Sequence, residues 1–370
     1  MNKHSLADNP IDHTAKSEWV GEHVLGFLYQ NATPSALGSL AVVCLLSWVI
    51  HNPGNFDFLV PWIFTCFVIA LLRAVLVYRF RAREKDRKNP FWLNSFRLVN
   101  GISGIVIGSM VWLYIPFANT ADKVLILCAI VGLVAGATPS YSVDTRSFLA
   151  FVLPSCLLPI AFYAWNTPDG YGPIIGMFVL YIIVMIRVAF QSRESLIKNF
   201  ELTYTLNYRA THDALSGLLN RQELENQFLI ATPKSQHGIA MLFLDLDNFK
   251  LLNDSLGHHS GDEALRQLAE IMHSCVREDD ICARLGGDEF IVLLYLDDPS
   301  IAENIAHAII TAVNNLTFDD PNFSGLGCSI GIAFKANNAV SYSTIMKEAD
   351  KACYASKNSG KNQQTYRSIA

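Results

Sequence analysis

A Gly-Gly-acid turn lies between two short apolar segments in the second half of the chain. The turn is Gly286-Gly287-Asp288-Glu289, with Ile281-Cys282-Ala283 before it and Phe290–Tyr295 after it. Two such segments joined by glycines predict a tight β-hairpin, in which the glycines accept positive φ and leave no Cβ to block a ligand. Two carboxylates at its tip suit a divalent cation held against a triphosphate. An ordinary hairpin turn is the alternative, and these four residues alone do not decide between the two.

A second pair of acids lies at the end of a continuous apolar segment, Gly238–Leu246, which is typical of a central strand. Asp245 and Asp247 are two residues apart, so the period of a strand places both on one face at its end. A single acid there is usually a loop residue, and a pair is a stronger but still weak indication of a site. If this strand lies beside the hairpin, Asp245 and Asp288 face one cation from neighbouring loops.

Capping signals predict the helices around these acids. Asn220 is expected to cap a helix, with Glu223 in the capping-box position. After the strand, a short helix is expected to end at Gly257, and a second helix to begin near Ser260 with Glu263 as its capping partner. If the second helix begins there, Asp262 lies in its first turn. A carboxylate in the first turn favours the helix dipole, so Asp262 also has a purely structural explanation.

The order of the elements predicts the fold of this half. After the hairpin come an amphipathic helix, a buried strand, another helix and a short last strand, at Ile301–Leu316, Gly325–Phe334, Tyr342–Lys357 and Gln364–Arg367. Strand, two helices, hairpin, helix, strand, helix and strand indicate a ferredoxin-like α/β domain, with an antiparallel sheet flanked by helices.

The first half of the chain is apolar and poor in acids. The chain of 370 residues is 51% hydrophobic, with a mean hydropathy of +0.26. Most of the apolar stretches approach the ~20 residues that a spanning helix requires, and they are apolar all round, which disfavours a buried helical core in a soluble domain. We predict a six-helix all-α transmembrane domain, with spans at Ser35–Ile50, Phe58–Tyr78, Leu98–Phe117, Val124–Tyr141, Phe148–Trp165 and Gly172–Ala189. The fifth contains Pro154 and Pro159, which can kink a helix or mark its end.

Basic residues predict the orientation of these spans. The loops at 51–57 and 166–171 carry no Lys or Arg, whereas basic residues follow the second and sixth spans: Arg79, Arg81, Arg83, Lys85, Arg87, Lys88 and Arg97, then Arg187, Arg193 and Lys198. The positive-inside rule then places both termini in the cytoplasm, as an even number of spans requires. We expect the bacterial cytoplasmic (inner) membrane.

Few ionisable residues lie within the predicted spans, which favours an anchor and sensor over a transporter. Arg73 is near the end of the second span and is expected to reach the lipid headgroups. Asp144 and Arg146 share a short turn and are expected to pair. The net charge of −5 gives no indication of a nucleic-acid polymer as partner. The eight cysteines form no CxxC and no Cys/His cluster, so neither zinc nor a disulfide framework is indicated.

A helix without Gly or Pro connects the two halves. Its apolar residues recur at three-to-four spacing and form one stripe, made of Leu196, Ile197, Phe200 and Tyr204. The stripe is expected to pair with a second copy in a parallel dimer, and the alternative is that it lies on its own domain. We divide the chain into a cytoplasmic N-terminal segment, the membrane domain, this linker helix and the C-terminal domain, at 1–34, 35–190, 191–211 and 212–370.

From about residue 205 to 370 the chain resembles the GGDEF domain of bacterial diguanylate cyclases. The resemblance is carried by several ordered motifs. These are Asp213-x-Leu-Ser-Gly-Leu-x-Asn-Arg221, the strand end and its sequel from Leu244 to Asp262, the hairpin, Ser329–Ala333, and Ala349–Lys361. The membrane half is similar to the sensor or anchor domains of such cyclases in layout only. The resemblance implies a palm-like, nucleotide-cyclase-like version of the α/β fold.

The resemblance implies a reaction in which two GTP condense to cyclic di-GMP and pyrophosphate. Each 3′-hydroxyl attacks the α-phosphorus of the other nucleotide, which requires in-line geometry and neutralised phosphate charge. Because each domain holds one GTP, it also implies a homodimer through the GGDEF domains and the linker helix. A catalytically silent domain that receives nucleotide or cyclic di-GMP, or binds a partner, is the alternative, and a transporter with an appended regulator is a weaker one. Silent relatives lose signature acids, and none is lost here.

The resemblance also implies roles at the hairpin. It assigns two Mg²⁺ or Mn²⁺ ions to Asp245, Asp288 and the backbone carbonyl of Leu246. Asp288 is in addition the candidate general base, Glu289 supports the metal site, and Lys250 stabilises negative charge on the phosphates. The backbone approaches the phosphates at the two hairpin glycines, Gly286 and Gly287.

The nucleotide contacts are implied in the same way. Asn253 and Asp262 read the guanine edge, since a carboxylate accepts from its N1 and N2 donors, and His258 lines that pocket. Lys357 and Lys361 hold the terminal phosphates. Many relatives have Arg where Lys361 stands, so this contact is expected to be weaker.

An Arg-x-x-Asp pattern, Arg277 and Asp280, precedes the hairpin at the distance of the family's inhibitory product site. The resemblance therefore implies feedback inhibition by cyclic di-GMP. A surface salt bridge between the two residues is the alternative.

Overall fold

Long apolar helices form the first of two units, His13–Tyr204. The computed structural model describes residues 13–51, 56–83, 87–166, 172–235, 237–317, 325–337 and 339–369. Within these residues six helices are long and apolar enough to cross a membrane. They are α1 His13–Ile50, α2 Phe56–Ala82, α3 Pro90–Tyr114, α4 Thr120–Tyr141, α5 Thr145–Asn166 and α6 Gly172–Thr211.

These helices confirm the six predicted apolar helical segments, and several run beyond the predicted bounds. The first helix, α1, already begins at His13 and contains much of the segment expected to precede the span. The fifth helix, α5, is continuous through Pro154 and Pro159. Lys85, residues 1–12 and most of the two loops without basic residues lie outside the described residues.

The first unit is apolar on its outside as well as its inside. Tyr29, Ile126 and Val152 are almost fully buried, whereas Trp48 and Phe64 are 79% and 67% exposed. Water does not favour such a surface, but a lipid bilayer does, because lipid chains are as apolar as the side chains that face them. The surface therefore agrees with a membrane domain.

The apolar stripe of the linker packs within its own chain. Leu196, Ile197 and Phe200 contact the core of the first unit, and the rings of Tyr204 and Trp19 lie 5.5 Å apart. The prediction that this stripe faces a second copy is therefore wrong, and the alternative is observed. The reason is that α1 extends far enough toward its N-terminus to cover the stripe.

Two predictions about charged residues of this unit are also wrong. Arg97 makes a two-pronged ion pair with Asp144, at 2.8 and 2.9 Å, so Asp144 does not pair with Arg146. Arg73 does not reach the headgroups, because its guanidinium is hydrogen-bonded to side chains of α3 and α4 inside the bundle.

The second unit begins at Thr205 and is built on a mixed sheet. Among the described residues its strand order is β1-β3-β4-β2-β5-β6. The central strand β2 is antiparallel to β4 and β5, while the edge pairs β1–β3 and β5–β6 are parallel. The strands are β1 Leu219–Asn220, β2 Ile239–Asp247, β3 Ile281–Gly286, β4 Glu289–Tyr295, β5 Gly327–Lys335 and β6 Gln364–Ser368. This confirms the predicted sequence of elements, the position of β2 beside the hairpin and the sheet flanked by helices, but the sheet is mixed and not antiparallel throughout, because both edge strands pair in parallel.

Helices cover both faces of this sheet. They are α7 Arg221–Ala231, α8 Phe249–Leu256, α9 His258–Cys275, α10 Pro299–Asn314 and α11 Tyr342–Asn358. In β2, Leu242 and Leu244 pack in the core with α9 and α10, whereas Met241 and Phe243 pack in the core with α7 and α11. By this alternation Asp245 continues the face that is covered by α11.

The sheet and α11 approach each other closely at Gly331 in β5. A Cβ at this position would overlap the backbone of Ala349 and Cys353 in α11. Only glycine permits this separation, which sets the position of the helix that carries Lys357.

Helix ends confirm one capping prediction and correct another. Asn220 caps α7 by accepting from the backbone N–H of Glu223 at 2.9 Å, whereas the carboxylate of Glu223 accepts from Asn226 and Gln227 and does not complete the predicted capping box. The helix predicted to begin near Ser260 instead begins at His258, directly after Gly257. The positive φ of Gly257, 80°, joins α8 to α9 without a spacer. Glu263 bonds to Arg266 and Gln267 and is not a capping partner, and the predicted first-turn acid, Asp262, lies beyond the first turn.

Candidate active site

The hairpin predicted from the Gly-Gly-acid turn joins β3 to β4. Gly286 and Gly287 have φ values of 141° and 56°, which L side chains rarely adopt. A Cβ on either residue would meet no atom within 4 Å. Backbone conformation, and not crowding, is therefore what requires glycine, and the tip remains open to a ligand.

Arg284 holds this tip in place. Its Nε and Nη2 donate to the carbonyl of Gly287 at 3.0 and 2.7 Å, and Nη1 donates to Oδ1 of Asp213 at 2.8 Å. The same Asp213 oxygen accepts from the backbone N–H and hydroxyl of Ser216. The sequence did not predict this clamp. The available signal was an arginine in an apolar strand beside a Gly-Gly turn.

Asp213 is a stable anion because of these contacts. Burial acts to raise the pKa of its carboxyl, but the Ser216 hydrogen bonds and the Arg284 guanidinium outweigh it, so that the pKa lies below its ordinary value. The opening turn of the domain and the hairpin tip are thus joined by a charge-assisted contact.

The predicted acids come together at the end of β2. Asp245 is paired in register with Glu289 on β4, and directly opposite residues of an antiparallel pair share a face. The backbone N–H of Leu246 lies 3.4 Å from the carbonyl oxygen of Asp288. Burial raises the pKa of the Asp245 carboxyl, and the charge of Asp288 raises it further, against the hydrogen bond from Lys357. The two carboxylates are therefore close enough to repel each other.

Lys357 neutralises part of that charge. Its Nζ lies 2.6 Å from Oδ2 of Asp245. Burial acts to lower the pKa of the Lys357 ammonium, but the hydrogen bond and charge of Asp245 outweigh it and leave the pKa raised. The resemblance implied that Lys357 holds the terminal phosphates, and the structure places it against Asp245, a candidate metal ligand.

Asp247, on the same face as Asp245, has a structural role. Its two oxygens accept from the hydroxyl of Ser329 at 3.0 and 2.8 Å, and Oδ2 accepts from the backbone N–H of Asn362 at 2.8 Å. It joins β2, β5 and the segment after α11. This explains why only one of the two acids at the strand end is available to a ligand.

Two further lysines lie at the start of α8. Lys250 is exposed in its first turn, and Nζ of Lys361 lies 3.5 Å from Oδ1 of Asn248, the residue before the helix. A helix N-terminus and lysine side chains both favour anions. This end of the domain is thus suited to phosphate.

The residues predicted to read guanine lie where α8 meets α9. Oδ1 of Asn253 fits against Gly261 so closely that a Cβ there would overlap it. Asp262, half-buried, follows on α9, and His258 is exposed at its first position. The turn at Gly257 thus brings Asn253 close to the helix that carries Asp262 and His258.

A groove lies beside the acids, between the sheet and the helices α7 and α11. Its volume is about 590 Å³, and Phe243, Glu289, Tyr342 and Asp350 are among the residues that line it. This is within the size range of ligand pockets. The carboxylate of Glu289 is therefore next to open space as well as next to Asp245.

The Arg-x-x-Asp pattern forms a turn before β3. The backbone N–H of Arg277 donates to Oδ2 of Asp280 at 2.9 Å. Arg277 is exposed, and no ion pair among the described residues includes its guanidinium. The alternative of a surface salt bridge between the two is therefore not observed.

The donors at the hairpin fit a hard divalent cation. Asp245, Asp288 and the Leu246 carbonyl offer only oxygen, which Mg²⁺ and Mn²⁺ prefer. The ammonium of Lys357 already stands against Asp245 as a substitute positive charge. In the described residues no group of three or more His, Cys, Asp or Glu side chains is arranged to hold a metal, so substrate oxygens and water would have to complete the coordination.

The fold and this site define the class of the second unit. Residues 210–363 match the family model described as diguanylate cyclase, GGDEF domain. The C-terminal part of the chain is thus a GGDEF domain, as the sequence motifs predicted, and it follows six apolar helices.

Individual relatives match this same part. The probable diguanylate cyclase DgcE of Escherichia coli (strain K12) is 45% identical over 164 residues, 43% of this chain and 15% of that protein. The diguanylate cyclase DgcS of Shewanella oneidensis is 37% identical over 161 residues, 42% of this chain and 53% of that protein. The chain thus spans a small part of DgcE and little more than half of DgcS.

Among solved structures, the coiled coil and GGDEF domain of DgcB from Caulobacter crescentus, in complex with c-di-GMP, is 26% identical to this chain. It covers 50% of this chain and 99% of its own, with a TM-score of 0.45.

Proposed function

We propose that this protein is a membrane-anchored diguanylate cyclase, which condenses two GTP into cyclic di-GMP and releases pyrophosphate. The observation that carries the proposal is the pair of carboxylates, Asp245 and Asp288, brought together at the hairpin with Lys357 against one of them. Such a pair has little structural use, because like charges in a half-buried place repel each other. It is useful when a cation and a phosphate chain bind between them.

The phosphates would lie between the hairpin tip and the start of α8. On one side the open glycine turn offers backbone contacts. On the other side are the helix N-terminus, Lys250 and Lys361. Once a cation neutralises Asp245, Lys357 would be released from that carboxylate and could bind a phosphate instead. Its observed contact with Asp245 is therefore compatible with its proposed role at the terminal phosphates.

The reaction breaks the bond between the α-phosphorus and the bridging oxygen of pyrophosphate and forms a bond from the 3′-oxygen. A divalent cation, when bound, withdraws charge from the phosphate and lowers the pKa of the attacking hydroxyl. Asp288 is the group at the tip that would accept the hydroxyl proton. Lys250 would stabilise the negative charge that develops on the phosphate. Glu289, at the start of β4, would support the metal site.

Guanine would be recognised between α8 and α9. Asp262 offers a carboxylate to the N1 and N2 donors, Asn253 offers an amide, and His258 lines the edge. A pocket that uses a carboxylate in this way rejects adenine, which lacks both donors in that arrangement.

Each domain would hold one GTP, so two domains must meet with their hairpins facing each other. Homodimerisation is therefore part of the proposal, although the apolar stripe of the linker is used within the chain. Anchoring both copies in one membrane would raise their effective concentration.

Product inhibition is the regulation that we propose for the exposed Arg277. Its guanidinium has no carboxylate partner among the described residues, and the turn that Asp280 stabilises holds it at the surface. A free guanidinium forks onto phosphate or a guanine edge. Cyclic di-GMP offers both.

The helical unit would lie in the bacterial inner membrane, with the GGDEF domain in the cytoplasm. The basic residues between the second and third helices support this orientation. The Arg97–Asp144 pair joins the N-terminal part of α3 to the turn between α4 and α5, so these two segments would share one side of the membrane, as alternating spans require. A sensory role of this unit is part of the proposal.

Synthesis by the full-length protein in lipid nanodiscs, supplied with GTP and Mg²⁺, tests the proposal. We expect cyclic di-GMP from wild type, at least 100-fold less from Asp288→Asn, a loss of roughly 2.7 kcal/mol of transition-state stabilisation, and wild-type amounts from the exposed control Glu270→Gln. GTP binding is measured in parallel. A wild-type protein that binds GTP but makes no more product than Asp288→Asn would establish the silent receptor instead.

A further inference from the structure

Arg73 is buried inside the helical unit, with 8% of its surface exposed. Its Nη1 donates to the hydroxyl of Tyr141 at 2.8 Å, and its Nη2 donates to Oδ1 of Asn100 at 2.9 Å and to the hydroxyl of Ser103 at 2.8 Å. The Tyr141 hydroxyl also bonds to Ser35, at 2.8 Å. Helices α1, α2, α3 and α4 thus converge on one guanidinium.

The charge of Arg73 is not matched by these partners. All of them are neutral, and none of the ion pairs among the described residues includes Arg73. Asp144, an acid in the turn between α4 and α5, is already bound to Arg97. An unmatched cation within an apolar helix bundle is costly, and such residues commonly mark functional sites.

Two donors of this cluster are unused. The Nε–H of Arg73 and the side-chain amide N–H of Asn100 are both buried and have no hydrogen-bond partner in the described part of the chain. Buried donors are almost always paired in folded proteins. A negatively charged acceptor would pair with the Nε–H of Arg73 and would also neutralise the charge of the guanidinium.

A cavity lies against Arg73 between α1, α2, α3 and α5. Its volume is about 40 Å³, a few times the ~10–15 Å³ that one water molecule requires, so it suits a group the size of a carboxylate, and it is not fully enclosed. Ser39, Arg73 and Ser103 form its polar part, and apolar side chains such as Val43, Ile107 and Phe151 form the rest. A second cavity on the Asn100 side holds about 10 Å³, no more than one water molecule.

We propose that this cavity is a ligand site for a carboxylate carried on a small or slender apolar body. The single guanidinium matches a single negative charge, whereas a doubly charged phosphate would lack a second cation. The apolar wall excludes a hydrated inorganic ion and accepts hydrocarbon. The carboxylate would accept from Nε of Arg73, the first carbons would lie toward Val43 and Phe151, and a longer chain would leave through the open side of the cavity.

Thermal unfolding of the full-length protein in lipid nanodiscs tests this site, because a ligand that binds the folded state raises Tm in a saturable way. The probes are acetate, butyrate and octanoate added to the solution, and oleate added to the bilayer. Saturation by the soluble acids identifies an aqueous source, and saturation by oleate alone identifies a lipid source. The readout does not use cyclic di-GMP synthesis, so its failure is distinct from failure of the proposed reaction.

Three variants decide the location. Arg73→Gln removes the charge, and Ala36→Leu fills the cavity while keeping the charge; each should raise the half-saturating concentration at least tenfold. The exposed Arg79→Gln on the same helix should bind like wild type. If Arg73→Gln does not fold, Ala36→Leu alone decides. A wild type without a saturable shift, an equal shift with chloride, or an unchanged response of Ala36→Leu would overturn the proposal.

Discussion

Lys357 holds Asp245 through a 2.6 Å contact between its ammonium and Oδ2. The partners come from α11 and from the end of β2, so the contact depends on how closely that helix packs on the sheet. It places a positive charge where the proposed reaction requires a divalent cation. Cation binding and the release of Lys357 from Asp245 are therefore expected to be coupled.

Replacing Lys357 with Met should separate two effects. Mg²⁺ should half-saturate the enzyme at a several-fold lower concentration, because nothing then competes for Asp245. The KM for GTP should rise about tenfold, equivalent to about 1.4 kcal/mol, because a phosphate contact is lost. Initial rates over a grid of Mg²⁺ and GTP concentrations measure both. Lys351→Met, which breaks only a surface ion pair on the same helix, should change neither; if Lys357→Met is equally silent, the coupling is absent.

The contact between Arg284 and Asp213 predicts a pH dependence of stability. The pKa of Asp213 is lowered in the folded state, so its carboxylate stabilises the fold at pH values above its unfolded pKa of about 3.9. This contribution disappears as the pH falls through the lower folded-state pKa. At pH 7 Asp213→Asn should reduce the free energy of unfolding by about 1–3 kcal/mol.

Urea unfolding of a fragment comprising residues 205–370 measures this difference at pH 7 and at decreasing pH. The gap between wild type and Asp213→Asn should narrow below pH ~4, while the exposed control Asp254→Asn stays close to wild type throughout. If the difference in the free energy of unfolding between wild type and Asp213→Asn is constant from pH 7 to 3, the charge of Asp213 is not its cause.

Asp262 predicts the choice of base. Inosine triphosphate lacks the 2-amino group of GTP, so wild type should use it at least tenfold less efficiently, as kcat/KM. Asp262→Asn should lose at least tenfold in kcat/KM for GTP and should discriminate less between the two nucleotides. Equal use of both nucleotides by wild type would show that this carboxylate does not read the base.

Arg277 predicts feedback inhibition that can be removed without loss of synthesis. Arg277→Ala should raise the inhibitory concentration of cyclic di-GMP at least tenfold, because its guanidinium supplies a charge-assisted contact. The rate without added product should remain near that of wild type. Arg266→Ala, which removes an arginine from the helix preceding this turn, is the matched control. Unchanged inhibition in Arg277→Ala would remove the proposed site.

The second unit could be predicted from the sequence because its signals are local. A continuous apolar segment ending at Asp245 is buried along its whole length, and the Gly-Gly turn requires positive φ at two successive residues. The prediction of where α9 begins was wrong, and the reason is also local. The Ser260 and Glu263 pattern resembles a capping box, but Gly257 had already turned the chain into the helix.

Contacts between distant segments could not be predicted in this way. The partners of Arg73 lie on α3 and α4, and nothing in the sequence around Arg73 indicates them. The linker stripe was assigned to a second copy because the length of α1, which covers it, was underestimated. The clamp from Arg284 to Asp213 joins two motifs whose individual residues were recognised but whose contact was not.

The absence of a side chain at Gly331 has a consequence for the chemistry. A single methyl group there would push α11 away from β5, and with it the ammonium that faces Asp245. We expect such a substitution to weaken the proposed synthesis from the interface between the sheet and α11, with every residue proposed to bind GTP unchanged. The contact between Lys357 and Asp245 thus depends on a glycine that itself carries no chemistry.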